Sequence, residues 1–252
     1  MTSVFLTHLA AVLDNWDPRV VDGIAAKRYV VTFDNRGVGA SSGSTPRTIQ
    51  AMAKDAVTFI RALGLEYVDL HGFSMGGMVA QVIAQTDPDL VRKLILTGTG
   101  PAGGEGIKDV TRLSHLDTVR GLLTLQDPKQ FLFFTRTANG RRAGKTFLAR
   151  LKERTQGRDK AISHVVRRSA QGHSPLGAGA APRPLGHPPA GARRKRRERQ
   201  DGSDPELGRP GAASAERRVP NGELVLYPDA GHGGIFQFHG QFVETALEFL
   251  ER

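Results

Sequence analysis

The stretch "DLHGFSMGGMVAQVIA", residues 69–84, holds Ser74 between Gly72 and Gly76. A serine hydroxyl acts as a nucleophile only with a base to take its proton and donors to hold the charge developing on the attacked carbonyl. The spacing G-x-S-x-G has a physical use when a strand precedes it and a helix follows. The turn is then so tight that the serine takes a strained backbone. The two glycines leave room for the neighbouring strand and helix. The hydroxyl is presented at a helix N-terminus, where the dipole favours negative charge, and the backbone N–H of Met75 can donate to an oxyanion. The bland alternative is an ordinary turn with an idle serine. The apolar sequence on both sides favours the nucleophile.

The candidate base is His232, in "YPDAGHGG". It follows an expected strand, "ELVLY", and precedes the last helix. A histidine in a glycine-rich loop at a strand end can reach a nucleophile at the same edge of a sheet. The other seven histidines have weaker cases. His71 precedes the elbow and is expected to point into the sheet, and His239 falls in the final helix. His115 lies in a helical region, and His164, His173 and His187 lie in or beside a low-complexity stretch. His8 opens "HLAAVLDNWDP" after the first strand, a loop in which the backbone N–H of Leu9 can serve as the second oxyanion donor. Asp34 and Arg36 in "FDNRGVGAS" suit a structural turn, with Gly37 and Gly39 allowing positive φ.

These residues need a scaffold. Strand-like runs occur at residues 4–9, 29–34, 67–73 and 91–99, and helical spacing at 49–65 and from Met75 to Pro88. Alternation of strand and helix through short connections predicts a mostly parallel sheet with flanking helices. From Pro101 the rhythm changes to helices without strands, including "KDVTRLSHLDTVRGLLTL", "PKQFLFFTRTA" and "RAGKTFLARLKERTQ". Phe131, Phe133 and Phe134 of this region could line an apolar pocket or pack a core.

The chain has 252 residues, 39% of them hydrophobic, and no cysteine. There is therefore no disulfide framework and no thiolate metal site. No His/Asp/Glu cluster has ligand spacing, so neither a metal nor a cofactor is expected. No run approaches the ~20 apolar residues of a membrane helix, and the apolar N-terminus lacks the preceding positive charge of a signal peptide. Cytoplasmic location is the expectation. The net charge is +10, and +7 of it sits in residues 164–218, which carry 11 Arg and 1 Lys against 2 Asp and 3 Glu. That segment has seven Pro, eight Gly and only five Val or Leu. Alone it buries too little apolar surface to offset the entropy of ordering. Its run "ARRKRRER" lacks interleaved aromatics, so nucleic acid is not the expected partner.

The stretches "FDNRGVGASS", "GFSMGGMVAQVIA", "VRKLILTGT" and "PDAGHGGIFQF" together resemble an α/β-hydrolase of the serine esterase and haloperoxidase-like group. The resemblance implies Ser74 as nucleophile, His232 as base and the N–H groups of Met75 and Leu9 as the oxyanion hole. It implies a hydrolase core over residues 1–100 and 219–252, with a helical cap over 101–163. The expected substrate is a small ester or similar acyl compound. Two features depart from the family. The chain starts almost inside the family's third strand, so one sheet edge is missing. The family's strand, helix and strand ahead of the histidine loop, which position the triad's Asp, are replaced by residues 164–218. Asp201 and Asp204 are the aspartates there, with no apolar strand to aim them, and the catalytic acid stays unassigned. The length of this segment suits the missing elements while its composition suits GC-rich codons read out of frame. A hydrolase damaged by loss of its acid, and a polyanion-binding module built on the basic segment, remain as alternatives.

Overall fold

The computed structural model describes residues 1–9, 11–102, 127–154 and 222–252. Four strands, β1 (Thr2–Leu6), β2 (Tyr29–Thr32), β3 (Val68–Phe73) and β4 (Val91–Thr97), form one sheet in the order β2-β1-β3-β4. Every pairing is parallel. Parallel neighbours require crossover connections. These are α1 (Pro18–Ala25), α2 (Ile49–Ala62) and α3 (Met75–Thr86). The last described elements are α4 (Lys129–Phe133), α5 (Ala138–Arg150), α6 (Gly234–Gln237) and α7 (His239–Glu251).

The two-residue period of the strands divides the core. Val4, Leu6, Val68 and Leu70 pack on one face with α2 and α3. Phe5 and Phe73 face the other way, into a cluster with Trp16, Val20 and Ile24, the aromatic residues of α4 to α6, and Phe242 of α7. Every residue of β3 is buried, because it has strands on both sides and helices on both faces. In α2 the buried residues Ile49, Met52, Ala53, Ala56, Val57 and Ile60 recur at helical spacing. Thr48 caps this helix by accepting from Ala51 N at 3.1 Å, and Gly64, at φ 72, turns the chain out of it.

Two ion pairs, each built on a buried aspartate, join distant parts of the chain. Asp17 caps α1 by accepting from Arg19 N at 3.0 Å, and also receives the Arg150 guanidinium at 3.0 and 2.5 Å. Arg150 donates in addition to Phe236 O at 2.9 Å. Asp69 receives Arg92 through two hydrogen bonds of 2.7 and 2.6 Å, and Arg92 reaches Leu250 O at 3.0 Å.

Some expectations need correction. The first strand ends at Leu6, so His8 and Leu9 stand in the turn beyond it. The helix expected over 142–156 is α5, which starts at Ala138 and ends at Arg150. The stretch "ELVLY" pairs with no strand among the described residues, and Leu224 and Leu226 are 41% and 70% exposed. A strand persists only where a neighbour completes its ladder. The helix expected over "KDVTRLSHLDTVRGLLTL", the segment 164–218 and the carboxylates Asp201 and Asp204 lie outside the described residues. No helix among the described residues is long and apolar enough to cross a membrane.

Candidate active site

Ser74 occupies the single residue between β3 and α3, at φ 57 and ψ −118. A non-glycine residue holds a positive φ only where its surroundings fix it. Here Ser74 N donates to Thr97 O at 3.0 Å, and Gly77 N donates to Ser74 O at 3.0 Å. The glycines are steric requirements. A Cβ on Gly72 would stand 2.6 Å from Gly77 Cα, and one on Gly77 would stand 2.6 Å from the Thr99 side chain. Thr48, Thr137 and Asp17 all use their side chains to cap helices, whereas Ser74, at the same position of α3, does not. Its oxygen faces a different partner.

That partner is His232, whose Nε2 lies 2.9 Å from Ser74 Oγ. With Nε2 unprotonated, the serine hydroxyl donates to it, which is the arrangement a general base needs. The ring packs against Phe73 at 5.1 Å and Phe133 at 5.9 Å between centroids. The backbone behind it is tight. A Cβ on Gly98 would stand 2.7 Å from His232 O, and one on Gly231 would stand 2.6 Å from Phe133 O. Gly233 N donates to Phe133 O at 2.8 Å. The two glycines beside His232 therefore let its loop lie flat against Phe133 and Phe134.

The turn after β1 passes the first turn of α3, since the carbonyls of Leu6 and Thr7 crowd Gly76. Leu9 follows within three residues. The carbonyl of His8, part of the peptide that bears the Leu9 N–H, accepts from Thr7 Oγ1 at 3.3 Å. His8 Nδ1 donates to Leu9 O at 2.8 Å, while Nε2 is buried with no hydrogen-bond partner among the described residues. Its ring meets Phe73 and Phe133 edge-on. Burial drives the His8 pKa down to about 3; the Leu9 carbonyl opposes this, and nearby Lys129 and His232 add to it. His8 is therefore neutral beside His232 at ordinary pH.

The remaining candidates have other work. His71 is buried in β3 with its ring stacked on Phe5, at 4.4 Å between centroids. Asp34 accepts from Leu13 N at 2.7 Å and Ala40 N at 3.2 Å, fixing the turn after β2. Arg36 pairs with Asp55 at 2.7 Å. His239 starts α7. Phe133 and Phe134 are buried in the aromatic core, and Phe131 is half-buried. His115, His164, His173 and His187 lie outside the described residues. Sequence reasoning passes over Asp17 and Arg150, whose pairing spans 133 positions, and over Asp229, which the chain folds against Thr135 and Thr137. An Asp-Pro pair ahead of apolar residues is a local cap signal for Asp17, but nothing local marks its pairing with Arg150.

The sequence pattern of the family described as alpha/beta hydrolase fold matches residues 4–184. The chain is similar to the solved structure of an alpha/beta hydrolase fold protein from Chitinophaga pinensis, with a TM-score of 0.74 and 30% identity over 99% of this chain and 89% of that one. A non-heme bromoperoxidase-type protein, BpoC of Mycobacterium tuberculosis, shares the fold at a TM-score of 0.65 and 21% identity, over 99% of this chain and 91% of its own. Among curated relatives, the provisionally named carbamate hydrolase RutD of Rhizobium rhizogenes is 37% identical over 83 residues, which is 32% of this chain and 31% of that protein. The chain thus spans about a third of that relative's length.

Proposed function

The chain belongs to the alpha/beta hydrolase fold family, and from that premise we propose that it is a serine hydrolase acting on a small ester or similar acyl compound. The observation that carries the reading is the 2.9 Å contact between Ser74 Oγ and His232 Nε2. Ser74 Oγ attacks the acyl carbon and its proton passes to His232 Nε2. The charge on the carbonyl oxygen is held by the N–H groups of Met75, at the N-terminus of α3, and of Leu9. Collapse of the tetrahedral species expels the alcohol, which takes the proton back from His232. A water molecule, deprotonated by His232, then attacks the acyl-serine, and the acid leaves as Ser74 regains its hydrogen. Thr97, Gly72 and Gly77 serve this chemistry by holding Ser74 in its strained backbone. The helices within 101–163 are assigned the role of a cap over the acyl group. The relatives' names include an esterase/lipase and a carbamate hydrolase, which supports acyl chemistry in general.

The test is covalent labelling by a fluorophosphonate probe. The wild-type protein is expected to label and Ser74→Ala to remain unlabelled. Labelling that survives this substitution would remove Ser74 from the mechanism.

A further inference from the structure

The loop that carries His232 is fastened three residues ahead of it. Asp229 stands at φ 50, the only non-glycine residue besides Ser74 with a positive φ among the described residues. Its carboxylate oxygen Oδ1 receives Thr135 Oγ1 at 3.0 Å and Thr137 Oγ1 at 3.1 Å, and Oδ2 receives Thr137 Oγ1 at 3.0 Å. Thr137 also caps α5 by accepting from Gly140 N at 3.0 Å, and its hydroxyl lies 2.9 Å from that of Thr135. The carbonyl of Asp229 accepts from Gln237 Nε2 at 3.0 Å. On the other side of His232, Gly233 N is bound to Phe133 O at 2.8 Å. The loop is thus pinned before and after the base, and both pins are set in the same segment, Phe133 to Thr137.

The contacts of Asp229 with the two threonines are exposed. Hydrogen bonds open to water add little net stability, because water replaces them when they break. What they do fix is a direction. A base must hold its nitrogen within a fraction of an ångström of the nucleophile, and a misplacement of about 1 Å can cost about 10²-fold in rate. On the serine-hydrolase reading, on which this rests, we propose that Asp229 is a positioning residue for His232, acting through Thr135 and Thr137. The carboxylate holds the left-handed turn that sends the chain back toward Ser74, and it transmits the placement of α5 to the base.

Two substitutions separate the carboxylate from the backbone. Asp229→Gly keeps positive φ accessible and removes the acceptor. Asp229→Asn keeps an acceptor on a residue that tolerates positive φ. With p-nitrophenyl acetate as probe, Asp229→Gly is expected to lower kcat about 10–100-fold with KM little changed. Asp229→Asn is expected to restore most of the rate. In a His232→Ala background the glycine substitution should change the residual rate no further, because its effect passes through the base. Thr135→Val leaves residue 229 itself unchanged, removes one hydroxyl partner from both Asp229 and the capping Thr137, and should lower kcat in the same direction. Urea unfolding of each variant reports on the fold separately. A wild-type kcat in Asp229→Gly, or a loss of equal size with and without His232, overturns the proposal. If wild-type hydrolysis of the probe is instead indifferent to Ser74→Ala, the serine-hydrolase reading has failed. That result differs from an enzyme that needs Ser74 and ignores Asp229.

Discussion

A Cβ on Gly76 would stand 1.9 Å from the carbonyl oxygen of Leu6. The first turn of α3 and the end of β1 are in backbone contact, and any side chain at position 76 must push them apart. Of the two proposed oxyanion donors, Met75 adjoins this contact in the chain and Leu9 follows it by three residues.

Gly76→Ala is therefore expected to cost about 1–3 kcal/mol of stability and to lose hydrolysis by more than its loss of folded protein explains. Thermal unfolding and probe hydrolysis on the same samples check this. An alanine variant with wild-type stability and rate would show that the two backbones are not held together.

His232→Ala should lower hydrolysis by at least ~10²-fold, the usual contribution of a general base. Circular dichroism should be unchanged, because the ring lies at the margin of the Phe73 and Phe133 packing. An unaltered rate would exclude His232 as base.

Arg150→Met leaves Asp17 buried without its counter-charge. Breaking a buried pair on one side costs about 3–5 kcal/mol, and urea unfolding should show a loss of that size. Combining it with Asp17→Asn, which retains an acceptor for Arg19 N, should recover part of the loss. If the double variant is as unstable as the sum of the singles, the two residues are not coupled.

His71 gives a pH signature. Burial lowers its pKa from 6.5 to about 3. The folded protein keeps the ring neutral, so above pH 6.5 the group contributes no pH dependence. As pH falls below 6.5 the unfolded chain takes up a proton that the folded one refuses. Stability should then drop by about 1.4 kcal/mol per pH unit for this one group, down to about pH 3. His8, lowered to about 3 as well, acts in the same direction. The slope of unfolding free energy between pH 6 and 4 should be visibly smaller in His71→Phe; an identical slope would show that His71 is not a source of it.

The sequence made the centre of the sheet legible and its margins less so. The elbow is readable because β3 is a buried run, α3 follows at once, and glycines stand where side chains collide. His232 is readable because its glycine loop is local. The helix α1 is not among the expected elements, although Asp17 and Pro18 form a cap signal, because its eight residues are too few for a strong helical period. The stretch 222–227 has the apolar residues of a strand yet pairs with none among the described residues. Strand formation depends on a neighbour, which composition does not supply. The fastening of Asp229 to Thr135 and Thr137 crosses more than ninety positions and leaves no periodic trace.

Residues 164–218 are proposed to be read out of frame. The likeness to the Chitinophaga pinensis structure covers 99% of this chain and 89% of that one. The family match runs to residue 184, past Ser163, where the reading places the break. Sequencing the coding DNA should reveal, in another frame, two apolar strand-like runs, the second followed by an Asp-containing turn. Stop codons throughout that frame would show the segment to be genuine.

The contact between Ser74 and His232 joins positions 158 residues apart. A ribosome adding about 5–20 residues per second needs roughly 8–30 s to make that interval. For that time the growing chain carries Ser74, whose N–H is bound to Thr97 O of β4, but lacks His232, the proposed base. On the proposed reading the nucleophile is built early and armed late. A nascent chain released before residue 232 is expected to be chemically inert, which spares the cell an unguarded acyl-transfer group during synthesis.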